Sequence, residues 1–290
     1  MPIPTIQPYL LLLLLLLLTT AISATATTTN FPLPFDTSLD NNFTNTACPN
    51  FLTANFGSPG PQSAFSTCHP LSFLLRDSSA FFSALHSEST TSDILNTACA
   101  APVDDCTKTL SDLANDLLKK DTCRRDYELG NPLVVHAYTD LLAYEAVYHA
   151  SCLRSNTSGK FCFVDALFGS SSSPPPGDYN VFFIPLGSAL THDPAGNEED
   201  PYLSCNDCTR REMQTYADFA RKDGQPLADS YGPSAQVVNR ECGQGFVDAN
   251  VTLGHSQTVL ASSGSTIAMG MPMGLSWLVL GSVLGIGFVL

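Results

Sequence analysis

The amino-acid sequence predicts a mainly α protein, a disulfide-stapled helical bundle with long loops and room for one short hairpin or cover strand. Three observations lead there. Apolar residues in the middle of the chain recur with helical spacing. Ten cysteines, an even number, lie between two strongly apolar and uncharged ends. Those ends read as export and anchoring signals, which puts the cysteines in an oxidising compartment.

Taken in chain order, "LSFLLRDSSAFFSAL", Leu71 to Leu85, reads as a helix. In "CTKTLSDLANDLLKK" the residues Leu110, Leu113, Ala114, Leu117 and Leu118 fall at i, i+3, i+4, i+7 and i+8, one face of a helix whose first turn suits Pro102. "NPLVVHAYTDLLAYEAVYHASC" differs: from Leu133 to Cys152 it is apolar nearly all round, with Pro132 at its start, and such a helix belongs in the centre of a bundle. "YNVFFIPLG", Tyr179 to Gly187, is the one segment resembling a strand. A helix follows from about Cys205 to Arg221, with Met213, Tyr216 and Phe219 inward and Thr209 and Glu212 at capping-box spacing. The last runs from about Pro233 to Cys242 and is closed by Gly243.

The leucine run Leu10 to Leu18, followed by small residues at Ala21, Ser23, Ala24 and Ala26, predicts a secretory signal peptide over 1–23. It is too short for the roughly 20 residues that span a bilayer. At the other end the string Ala261 to Thr266, a short spacer and an apolar run from Leu275 to Leu290 match a GPI-attachment signal. Transamidation needs small side chains because the backbone itself enters the enzyme, and Ser263, followed by Gly264 and Ser265, is the expected attachment residue. A single-pass helix fits less well: the run is short, and no Lys or Arg anchors its inner side. The expected layout is therefore a signal peptide (1–23), a flexible Thr/Asn-rich lead (24–47), a cysteine-rich helical ectodomain (48–247), a Ser/Thr/Gly stalk (248–263) and a GPI-attachment propeptide (264–290). Asn42, Asn156 and Asn250 each begin an N-glycosylation tripeptide.

All ten cysteines, Cys48, Cys68, Cys99, Cys106, Cys123, Cys152, Cys162, Cys205, Cys208 and Cys242, are expected in five disulfides. Cys99 and Cys106 on one straight helix would sit about 10 Å apart, so each is expected to bond to another element. Cys152 and Cys162 flank a polar turn, which suits a local bridge. Cys205-Asn-Asp-Cys208 has redox spacing, but no βαβ pattern surrounds it and no second ligand pair accompanies it, so both read as structural half-cystines.

All 27 acidic and 13 basic residues fall between Asp36 and Asp248, giving that region the net charge of −14. Such a surface repels nucleic acid and anionic lipid, so no nucleic-acid partner is expected. His136 and Asp140 are four apart, as are Glu145 and His149, but the two pairs point in opposite directions and cannot share one ion. His69 and His192, and the acidic residues Asp193, Glu198, Glu199 and Asp200, offer no firmer metal site. No G-x-S-x-G, H-E-x-x-H, P-loop or dinucleotide fingerprint occurs, so no catalytic residue, metal or cofactor is assigned.

The ordered segments "FLTANF", "CHPLSFLL", "CAAPVDDC", "NPLVVHAY", "LLAYEAVY", "KFCFVDAL", "IPLGSAL", "CNDC" and "CGQGFVDANVT" resemble a family of ascomycete cell-surface proteins known only as a domain of unknown function. The likeness runs from about Phe51 to Thr252 and implies a secreted, often GPI-anchored fungal protein without assigned catalytic residues. The expected function is a GPI-anchored glycoprotein of the plasma membrane or cell wall with a structural, adhesive or sensing role. Its expected partners are the membrane through the lipid anchor and wall glycans or surface proteins. The alternative is a wall-remodelling enzyme or small-ligand binder with a groove between helices.

Overall fold

A computed structural model of the chain describes residues 31–37, 39, 42–57, 63–169, 176–191 and 203–256. Both apolar ends, Ser263 and the acidic loop from His192 to Asp200 lie outside the described residues. Among the described residues the elements are α1 (Ala47–Phe56), α2 (Ala64–Cys68), α3 (Leu71–Asp77), α4 (Ser79–Ala84), α5 (Glu88–Cys99), α6 (Val103–Leu117), α7 (Arg124–Glu128), α8 (Pro132–Ser151), α9 (Cys162–Phe168), α10 (Pro176–Asn180), a 3₁₀ helix (Val181–Leu186), α11 (Asp207–Ala220) and α12 (Leu227–Cys242). The mainly α, disulfide-stapled class is the one expected.

Helix α8 forms the axis. Asn131 caps it, its Oδ1 accepting from Leu133 N and Val134 N, and Pro132 occupies the first position, where its missing N–H costs nothing. Leu141, Ala143, Tyr144, Ala146 and Val147, on several sides of the helix, are all buried. Helices α3, α5, α6, α7, α9 and α11 and the 3₁₀ helix pack around it. Helix α6 buries Cys106, Leu110, Ala114 and Leu117, the stripe its spacing predicts, although Pro102 precedes its first residue.

Five disulfides join these elements. Cys48 of α1 bonds Cys123 before α7, Cys68 of α2 bonds Cys106 of α6, and Cys99 of α5 bonds Cys152 at the end of α8. Cys162 of α9 bonds Cys208 of α11, and Cys205 bonds Cys242 of α12. Cys99 and Cys106 thus reach separate elements, as geometry requires, and the CxxC cysteines are structural. The expected local bridge between Cys152 and Cys162 is absent. Backbone bonds already close that turn, Ser155 N to Lys160 O and Cys162 N to Leu153 O, both at 2.8 Å, leaving the two sulfurs to different neighbours.

Several other expectations need correction. Leu71 to Leu85 is two helices, because Ser78 is extended and caps α4, while Asp36 accepts from Ser79 N and Ala80 N. Tyr179 to Gly187 is not a cover strand but α10 running into a 3₁₀ helix, folded over α8 with Val181, Phe182, Ile184 and Leu186 buried. Helix α12 starts at Leu227, before Pro233, which lies inside it. Gly232 precedes that proline, and without a Cβ it escapes much of the clash that bars helix there. Asn206, not Thr209, caps α11, accepting from Thr209 N at 3.0 Å.

The predicted flexible segments are bound where they are described. Phe31, Leu33, Phe35, Leu39 and Phe43 of the lead pack against the core. Thr44 donates from N and Oγ1 to the buried carboxylate of Asp126, at 2.7 and 3.1 Å. Beyond Cys242, Asn239 and Val247 exchange two hydrogen bonds of 2.9 Å, and Tyr231 OH donates to Asp248 O. Gly254 N donates to Ala220 O, so close that an added Cβ would lie 2.5 Å from Lys222 O.

Replacing Cys99 and Cys152 together by serine is expected to cost about 2–5 kcal/mol of stability. The readout is the denaturant midpoint; an unchanged midpoint would mean that this link does not hold α5 to α8.

Candidate functional site

Two groups of ionisable side chains converge inside the bundle. The first forms where α3 meets α8. Phe73, Leu74 and Leu75 are fully buried and draw the end of α3, with Arg76 and Asp77, down onto α8. His136 and Asp140 stand one turn apart on α8 and share a face. Asp140, fully buried, pairs with Arg76 Nη2, while Arg76 Nη1 donates to Leu186 O at 3.3 Å. His136 Nδ1 lies 3.7 Å from Asp77 Oδ1.

Two carboxyls therefore face one permanent cation and one imidazole. Among the described residues Arg76 Nε, Asp77 Oδ2 and Asp140 Oδ2 have no hydrogen-bond partner. Burial pushes the Asp140 carboxyl up to about 7; Arg76 pulls against that rise and Asp77 adds to it. A small cleft of about 260 Å³ has Phe35, Leu39, Arg76, Asp77, Phe82 and Leu133 in its wall.

The second group lies between α10 and α11. Ser204 N donates to Asp178 Oδ1 at 2.8 Å and Ser204 Oγ to Oδ2. Glu212 is buried and, with Tyr216 one turn on, lacks a partner for Oε1, as Tyr216 does for its hydroxyl, among the described residues. Burial, then the charge of Asp178, raises the Glu212 carboxyl well above its ordinary range and so favours its neutral form. Burial likewise raises Tyr216 and, against the bonds from Ser204, Asp178. A cleft of about 500 Å³ includes Ser155, Ser158, Asp165, Asp178, Ser204 and Asp207.

The structure gives the members of each sequence-predicted ligand pair other partners. His136 and Asp140 turn to Asp77 and Arg76; Glu145 approaches Lys222 Nζ at 3.7 Å, and the His149 ring lies against Phe219. His69 ends α2 with its ring edge toward Phe31, and burial lowers its pKa. Among the described residues no group of three or more His, Cys, Asp or Glu side chains is arranged to hold a metal ion. The glycosylation tripeptides are at the surface, with Asn42, Asn156 and Asn250 all exposed.

Sequence reasoning missed Arg76, Asp178 and the burial of Glu212. A signal existed for two of them. Arg76 is the first basic residue of the chain and ends an apolar helix, and Asp140 interrupts another. Glu212 precedes Tyr216 and Phe219 by four and seven residues, which sets all three on one face.

A carboxyl raised on folding stabilises the native state at low pH, and the contribution is lost as pH rises through the folded value. For Asp140 the window runs from about 4 to about 7. Urea titrations of the wild type between pH 4 and 8 should show a decline that Asp140→Asn lacks, by at most about 4 kcal/mol. Parallel curves would contradict the assignment. Glu212→Gln should lose less stability than the wild type as pH rises in the same urea titrations, because a buried amide never ionises; equal losses would contradict the burial of a neutral carboxyl there.

Five disulfides suggest an extracellular or secreted protein. Among the described residues no helix is long and apolar enough to cross a membrane. No curated protein and no solved structure matches the chain. Residues 30–251, which take in the bound lead, the twelve described helices and the closing segment, match the family described as "Domain of unknown function (DUF7729)", and the chain belongs to that family.

Proposed function

We propose that this protein is a GPI-anchored extracellular glycoprotein of the fungal plasma membrane or cell wall, with a structural, adhesive or sensing role and no catalysis of its own. The observation that carries the reading is one coincidence: a body tied by five disulfides, three exposed glycosylation tripeptides and two uncharged apolar ends occur in one chain. The converging charged groups favour it too. Asp140 and Glu212 are buried between helices, where a polymer cannot reach them. The resemblance to ascomycete surface proteins supports the source and the anchor, with Ser263 as attachment residue.

A second reading, a wall-glycan-binding or wall-remodelling module, draws support from Asp178, a carboxyl in the wall of the 500 Å³ cleft and coupled to Glu212. Binding of wall glycans that Asp178→Asn abolishes without unfolding the ectodomain would favour it.

Phosphatidylinositol-specific phospholipase C is expected to release the protein from intact cells, with residue 263 at its new C-terminus by mass spectrometry. Retention in the membrane together with an intact C-terminal peptide would replace the lipid anchor by an inserted segment.

A further inference from the structure

The tripeptide Asn156-Thr157-Ser158 lies at the edge of the 500 Å³ cleft: Thr157 and Ser158 are in its wall. The Asn156 side chain is not free in solvent. Its amide nitrogen Nδ2 donates to Asp207 Oδ2 at 2.8 Å, and Asp207 is itself a wall residue. The atom to which a sugar is attached is thus held at the cleft before any sugar is present. N-linkage leaves that nitrogen one hydrogen.

The wall has the chemistry that hydroxyl groups require. Asp165 accepts from Ser158 Oγ through Oδ2 at 2.6 Å, leaving Oδ1. Asp207 uses Oδ2 for Asn156, leaving its own Oδ1. Asn206 spends its Oδ1 on capping α11 and keeps its amide hydrogens as donors. Phe168 contributes an apolar edge for the carbon face of a sugar ring. Carboxylate acceptors, an amide donor and one aromatic side chain in a space of about 500 Å³ fit a neutral saccharide.

We infer that this cleft is a carbohydrate site filled in cis, by the first sugars of the N-glycan on Asn156. The inference rests on the glycoprotein reading and adds to it: this glycan is a packed part of the fold, which covers Asp165 and Asp207 and joins the Ser155–Lys160 turn to the start of α11. Asn42 and Asn250 also border clefts, but the Asn42 contact is through its backbone carbonyl and the Asn250 contact through its backbone N–H. Their side-chain amides make no comparable bond among the described residues, and their glycans should stand free.

The test is enzymatic release of N-glycans from the full mature protein, followed site by site by glycopeptide mass spectrometry, native and after reduction and denaturation. In the native protein the Asn156 glycan should be released at least about tenfold more slowly than those on Asn42 and Asn250, the ratio that two or three weak hydrogen bonds supply. Denaturation should abolish the difference. Asp207→Ala, and independently Asp165→Asn, a second residue of the cleft wall, should speed native release at Asn156 and leave the other sites unchanged. Equal native rates at the three sites would overturn the inference while leaving the glycoprotein reading intact. An unmodified Asn156 in the mass spectrum would overturn both at that site.

Discussion

A helix that is apolar nearly all round has to be covered on most of its sides, and that requirement organises this protein. Helix α8 cannot lie at a surface, and the elements that enclose it are mostly short: α3 has 7 residues, α7 has 5 and α9 has 7. Helices of that length do not hold their shape alone in water, since nucleation costs more than one or two turns return. Their order comes from packing on α8 and from covalent links. The disulfides serve this need directly, since each fastens a different pair of elements or element ends. A chain exported to an oxidising medium can use such links where a cytosolic bundle would need longer helices.

The charges buried against α8 follow from the same geometry. Placing Arg76 and Asp140 between apolar helices removes the Asp140 carboxyl from water and most of the Arg76 side chain with it, and a pair of this kind adds little to stability once desolvation is counted. It does fix how α3 crosses α8, since any other register leaves an unpaired charge inside. Burial of the Asp140 carboxyl is what makes the interface sensitive to protons. Asp178 and Glu212 repeat the pattern on the far side of the chain order, with burial again raising both carboxyls. A fold so built is favoured by mildly acidic surroundings.

Much of this was legible in the sequence because it rests on periodicity. The stripe on α6, the burial of α8 on most of its sides and the inward residues Met213, Tyr216 and Phe219 were readable from spacing alone. What could not be read depended on contacts distant in the chain. Asp36 caps α4 from more than forty residues away, and no local pattern in "LLRDSSAFF" shows that a helix stops at Ser78. The lead looked flexible because its composition is polar, yet Phe31, Leu33 and Phe35 recur at every second position and pack on the core. The 3₁₀ helix resembled a strand because the same large apolar residues suit both, and a covering site on α8 decided between them. The bridge between Cys152 and Cys162 failed because proximity in sequence ignores where each sulfur points. The charged groups were hidden for a related reason: Glu212 had the spacing of a helix cap and also that of a core residue, and only the packing of α11 chooses.

The account depends on five specific cross-links between helices, and non-reducing peptide mapping of the purified protein measures them directly. It should recover the pairs Cys48–Cys123, Cys68–Cys106, Cys99–Cys152, Cys162–Cys208 and Cys205–Cys242, with no free thiol. Recovery of a Cys152–Cys162 peptide, or of free Cys205 and Cys208, would contradict it.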